Sequence, residues 1–118
     1  MKPQRPNIKG IINSGTQEIE KFQNQVLRPI LKQQHQLLSV HFHMVLESHK
    51  INFLMQSPEV KNQLIDRMLS KNHTLRNIQI GMIVGMLSLE EFTSYAKYQR
   101  EYNRRMIQML KKRFQDNL

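Results

Sequence analysis

The chain has 118 residues, which is enough for one domain with a single core and too few for two. Its 39% apolar and 23% charged residues exclude global disorder, and the absence of cysteine excludes disulfides, a thiol nucleophile and cysteine-based metal sites. The net charge of +9 is concentrated at the two ends of the sequence, which favours an anionic partner such as nucleic acid or, alternatively, a role in solubility.

Residues 1–14 contain Pro3, Pro6 and Gly10 and no sustained periodicity, so they are predicted to form a flexible basic arm. They include no apolar segment of signal-peptide length, and the longest nearly apolar run, residues 78–87, is too short to span a membrane. We therefore expect a cytoplasmic protein without a membrane partner, with residues 15–118 forming a single helical-bundle domain.

Apolar residues recur at helical spacing over residues 16–48, which predicts a long first helix. Pro29 lies in its middle, where it removes a backbone donor and crowds the preceding turn, so the helix should be kinked or broken there. An unbroken helix of this length would reach about 50 Å, which is long for so small a domain. The buried face is expected to contain Ile19, Phe22, Val26, Ile30, Leu37 and Met44, widened by Leu27, Leu31, Leu38 and Val45.

Three helix starts follow. Ser57 before Pro58 is a strong N-terminal signal, residues 72–74 begin a further helix, and Ser88 with Glu91 forms a capping box that opens a last helix over about residues 89–115. No segment shows sustained strand-type alternation. The sequence therefore predicts an all-α fold, an antiparallel bundle of four to five helices.

Several polar residues fall within the apolar arcs of the predicted helices. The candidates for a shared polar pocket are His41, Gln34, Gln99 and Asn103. They predict either an internal hydrogen-bond network or a pocket for a small ligand. The set contains no carboxylate, so acid–base catalysis would depend on His41 alone. His41 and His43 point about 200° apart on a helix, and we predict no catalytic, metal or cofactor site.

The predicted last helix carries a basic stripe. Its members are Lys97, Arg100, Arg104 and Lys111. Such a face can lie along a phosphate backbone, or it can simply be solvated. No helix-turn-helix, zinc-finger or RNA-recognition motif accompanies it.

Gly81 and Gly85 form a G-x-x-x-G pattern in an apolar stretch. In a soluble protein this spacing favours close packing of another helix, either from the same chain or from a second copy.

Residues 22–38, FQNQVLRPILKQQHQLL, together with patterns around residues 76–106, resemble a group of small bacterial proteins that often carry the label "glyoxalase". The pattern residues are Arg28, Pro29, Arg76, Asn77, Gly81 and Gly85. The group has no established activity, so the resemblance implies no catalytic residue. The label itself is not supported, because the chain lacks both the strands and the metal ligands that glyoxalases use.

Three functions are compatible with these features. The first is a non-catalytic helical interaction module that self-associates as a homodimer. The alternatives are a nucleic-acid-binding accessory protein that uses the basic C-terminal helix, and a small-molecule binder or enzyme with a polar pocket inside the bundle.

Overall fold

The computed structural model describes residues 14–118, and these form an all-α bundle without strands, as predicted. Apart from Ser14, the predicted N-terminal arm lies outside the described residues. The helices are α1 (Ser14–Phe22), a π-helical segment (Gln23–Leu27), α2 (Arg28–Gln33), α3 (His35–Ser48), a 3₁₀ segment (Phe53–Met55), α4 (Pro58–Lys71), α5 (His73–Val84), α6 (Leu89–Lys97) and α7 (Gln99–Asp116).

The irregularity predicted at Pro29 takes the form of the π-helical segment directly before it. The backbone N–H of Arg28 donates to the carbonyl of Gln23, five residues earlier. This wider turn accommodates the proline, which lacks an N–H of its own. The helix then continues to Gln33, and the break comes at Gln34, whose φ of −92° and ψ of 6° are not helical.

The π-helical segment changes which residues of the first helices are buried. Leu27, Leu31 and Leu38 are buried, whereas Leu37 and Met44, which the sequence placed on the core face, are exposed. A π turn adds one residue to the helix, so the buried face moves one position along the chain after it. The predicted core face was therefore wrong for Leu37 and Met44.

The predicted helix starts are confirmed by their capping bonds. The hydroxyl of Ser88 accepts from the N–H of Glu91 at 3.1 Å, and the Glu91 carboxylate accepts from the N–H of Ser88 at 2.9 Å. Ser57 caps α4 and Asn72 caps α5 in the same way. The prediction of a single last helix was wrong, because the backbone leaves the helical region at Tyr98, with φ −132° and ψ 43°.

Helix α3 ends in a Schellman-type turn. The N–H of Lys50 donates to the carbonyl of Glu47 at 2.9 Å, and the N–H of Ile51 donates to the carbonyl of Leu46 at 3.0 Å. Lys50 adopts a φ of 58°, the left-handed conformation that this turn requires. The turn brings the 3₁₀ segment back beside α3, where Phe53 stands edge-on to Phe42.

Helix α7 is the centre of the core. It packs against α4, α5 and the π-helical segment, and its Tyr102, Met106 and Leu110 are fully buried. The bundle is nevertheless elongated: its extents are 51 × 32 × 22 Å and its radius of gyration is 16.4 Å. A compact domain of this length has a radius of gyration of about 13 Å. The elongated shape leaves more apolar surface uncovered than a compact domain would.

Candidate functional site

Helices α3 and α5 are joined by a buried polar contact. The amide nitrogen of Gln79, which is fully buried, donates to the carbonyl of Leu38 at 3.0 Å and lies 2.7 Å from Nδ1 of His41. Burial lowers the pKa of His41, which favours the neutral ring whose Nδ1 accepts this hydrogen bond. His41 therefore belongs to an internal network that fixes the two helices against each other.

Sequence reasoning missed Gln79, although a signal was present. Gln79 lies four residues after Leu75 and four before Ile83, so it occupies a core position in an otherwise buried apolar stripe. Its amide oxygen is buried and makes no hydrogen bond within residues 14–118.

The four predicted pocket residues do not form one site, although Gln99 and Asn103 both interact with the hydroxyl of Tyr95. Asn103 accepts from the hydroxyl of Tyr95 at 2.5 Å, whereas His41 is bonded to Gln79. Gln99 is exposed at the start of α7, and Gln34 lies at the break between α2 and α3. The prediction assumed uninterrupted helices, whereas the helices break at Gln34 and at Tyr98.

The predicted basic stripe is largely paired with carboxylates. Lys97 lies 3.2 Å from Glu18, Arg104 2.7 Å from Glu101, and Lys111 2.9 Å from Asp66. Hydrogen bonds from Arg104 and Arg105 hold the pKa of Glu101 at about 2. Of the four stripe residues, Arg100 alone has no carboxylate partner in the described part of the chain.

The pattern residues lie at scattered positions. Arg28 is exposed and donates to the side chain of Asn24, and Pro29 occupies the first turn of α2. Arg76 is half-buried, and its Nε is buried without a hydrogen-bond partner in residues 14–118, whereas Asn77 is exposed. These residues do not form a common site.

Gly81 and Gly85 are exposed on the outer side of α5. A Cβ atom added at Gly81 would meet nothing within 4 Å, and one at Gly85 would meet only the backbone oxygen of Gly81, at 3.1 Å. The prediction that another helix of the same chain packs closely against these glycines was therefore wrong for the described residues. Packing by a second copy stays a prediction.

Helix α3 has a second apolar face that no other described element covers. Leu37, Val40 and Met44 are 52%, 56% and 62% exposed. Their spacing of three and four residues places them on one side of the helix, opposite the buried Leu38 and Phe42. We call Leu37, Val40 and Met44 the outer face of α3.

A groove of about 350 Å³ runs between the outer face and the 3₁₀ segment. Val40 and Met44 line one side, and Leu54 lines the other. Leu54 and its neighbour Met55 are 75% and 78% exposed. The groove itself is partly polar, because its lining also includes Ser39, His43, Glu47 and Asn52. The outer face, Leu54 and Met55 are the exposed apolar groups beside it.

A smaller pocket of about 130 Å³ is walled by Phe42, Phe53 and Phe114. Its polar lining is His35, Ser39, His43, Lys61 and Asn117. Its lining contains no aspartate or glutamate among the described residues, so it offers no pair of acidic side chains for acid–base catalysis. Among residues 14–118, no three or more potential ligand side chains are grouped to hold a metal ion, and no helix is long and apolar enough to cross a membrane.

The chain matches no family model, no curated protein and no solved structure. The resemblance to the glyoxalase-labelled group therefore stays an expectation based on the residue pattern alone.

Proposed function

We propose that this protein is a non-catalytic helical interaction module that self-associates through the outer face of α3. The observation that carries the proposal is that α3 presents apolar side chains on two opposite sides, of which the domain covers only one. An apolar stripe on a helix normally packs against another element. The proposal places the module in the cytoplasm, in keeping with a chain that contains no cysteine.

Burial of the outer face alone would stabilise a dimer only marginally. In a symmetric pair, its six half-exposed side chains would contribute on the order of 5–9 kcal/mol. Association costs about 4 kcal/mol or more in lost translational and rotational freedom. Leu54 and Met55 must therefore join the interface for a stable dimer. Leu54 lies across the groove from the outer face, and Met55 is its exposed neighbour in the chain.

A second copy of the chain fits this surface for two reasons. The outer face is a single helical stripe, so it can pack against itself in antiparallel orientation about a two-fold axis near Val40. That arrangement brings Glu47, near the end of α3, towards the start of the partner α3, where Lys32 lies three residues before the helix. Opposite charges then flank the apolar stripe at both ends.

The test is the oligomeric state of the whole chain in sedimentation velocity at tens of micromolar protein. We expect the wild type to sediment as a dimer and the Val40→Glu/Met44→Glu variant as a monomer, because two buried carboxylates on each copy oppose association.

A matched control introduces the same charge elsewhere. Asn62 and Gln63 are exposed on α4, so Asn62→Glu/Gln63→Glu should remain dimeric. A monomeric wild type at this concentration, or equal dissociation of both variants while their circular dichroism stays native, would contradict the proposal.

A further inference from the structure

A second groove lies between α2 and α7 and has a volume of about 310 Å³. Its lining is Arg28 and Leu31 from α2 and Gln108, Met109, Lys112 and Arg113 from α7. Leu31 and Met109 are buried and give it an apolar floor, while the other four side chains are polar and able to donate hydrogen bonds.

The three cations of this groove face no carboxylate in its lining. Within residues 14–118, Arg28 donates only to the neutral side chain of Asn24, at 3.3 and 3.4 Å, and Arg113 donates to the ring of His35 at 3.4 Å. Lys112 has a carboxylate partner in Asp116, but both side chains are exposed and such a surface pair is weak. Arg28 and Arg113 thus differ from Arg104, Arg105 and Lys111, which are paired with carboxylates.

His35 orients Arg113. Burial and the charge of Arg113 lower the pKa of His35, which favours the neutral ring, and its Nδ1 can accept the hydrogen bond from Nε of Arg113. The two terminal nitrogens of the guanidinium make no hydrogen bond to the described part of the chain, so they can donate to a ligand. A guanidinium held this way loses less conformational freedom when it binds an anion than a mobile one does.

We propose that this groove binds a small phosphate monoester, with its phosphate group held between Arg28, Lys112 and Arg113 and its organic part resting on Leu31 and Met109. Three cations suit a dianion better than a carboxylate, and guanidinium groups match phosphate oxygens in bidentate geometry. The groove shares no residue with the outer face of α3, so the inference does not depend on the proposed self-association.

The test uses phenyl phosphate as the probe, measured by isothermal titration calorimetry on the full chain. We expect saturable binding that weakens about tenfold or more in Arg28→Gln and in Arg113→Gln, because each change removes a charged hydrogen-bond donor. Arg100→Gln is the matched control, since Arg100 is exposed, has no carboxylate partner among residues 14–118 and lies outside the groove. It should leave the affinity unchanged.

Methionine methyl NMR keeps the test informative even where an arginine variant folds poorly. In the wild type, phenyl phosphate should shift the methyl resonance of Met109, in the groove floor, and leave that of Met44, on the outer face of α3, in place. No saturable binding, an equal loss in Arg100→Gln, or benzoate binding as tightly as phenyl phosphate would each overturn the proposal.

Discussion

At the scale of single residues, Gln79 of α5 makes the most direct polar connection to α3. Its amide nitrogen bonds both the backbone of α3 and the ring of His41, while its oxygen makes no hydrogen bond within residues 14–118. A buried polar group that loses a partner destabilises the fold by about 1–3 kcal/mol. The contact therefore depends on His41 remaining an acceptor.

Acidification should destabilise the fold through His41. Its folded-state pKa is lowered, so the unfolded chain binds more protons as the pH falls from about 7.5 towards 5, and the free energy of unfolding decreases over that range. Protonation also places a hydrogen on Nδ1, facing the amide nitrogen of Gln79. His35, whose pKa is lowered as well, contributes in the same direction.

Urea denaturation at a series of pH values measures this effect. We expect His41→Gln to reduce the pH dependence, with the remainder due to His35. His73→Gln, at an exposed position at the start of α5, is the control and should keep the wild-type dependence. An unchanged pH dependence in His41→Gln would show that the Gln79 contact does not select the neutral ring.

At the scale of helices, the sequence predicts where a helix begins better than whether it continues. Ser57, Asn72 and Ser88 mark the N-termini of α4, α5 and α6 because each side chain accepts a local backbone hydrogen bond, a signal that is contained in a few adjacent residues. The breaks at Gln34 and Tyr98 have no such local signal. Both lie within stretches of continuous helical periodicity, where tertiary packing decides whether the helix continues.

Gly81, in α5, and Gly85, which follows its last residue, can be used to test whether the outer side of this helix is open. Gly81→Ala should raise the free energy of unfolding by about 0.5–1 kcal/mol, because the helix becomes more favourable and the new Cβ meets no atom within 4 Å. Gly85→Ala should gain less, since its Cβ would lie 3.1 Å from the backbone oxygen of Gly81.

Urea denaturation of both variants at low protein concentration makes this comparison. A clear destabilisation by Gly81→Ala would contradict an open outer side of α5. If that loss appeared only at high concentration, it would indicate that a second copy packs there.

At the scale of the whole molecule, the net charge of +9 gives an incomplete view of the surface. The sequence shows Lys97, Arg104 and Lys111 as a basic stripe but cannot show that Glu18 and Asp66, distant along the chain, lie beside two of them. Such ion pairs depend on the tertiary fold. The same limit applies to the α2–α7 groove, whose three cations come from segments far apart in the sequence.

Salt dependence of DNA binding tests whether the stripe acts as a unit. In fluorescence anisotropy with mixed-sequence duplex DNA, replacing Lys97, Arg100, Arg104 and Lys111 by glutamine should reduce the log–log salt slope by about 1, the contribution of one free cation. A reduction of about 4 would mean that all four contact phosphates. That result would favour the nucleic-acid-binding alternative over the interaction module.

The π-helical segment also sets how α1 is rotated relative to the rest of the bundle. Phe22 and Leu27 are five residues apart, yet both are buried, and Phe22 packs against Tyr102 with ring centroids 4.8 Å apart. In a regular α-helix, positions with that separation point about 140° apart. The additional residue in the π-helical turn therefore rotates α1 relative to α2, so that the apolar faces of both helices point into the core. Regular α-helical geometry through residues 23–27 would turn α1 by about 100° and point Phe22 away from the core, whereas deletion of one residue from this segment would leave Phe22 and Leu27 four apart, on the same face of a regular α-helix.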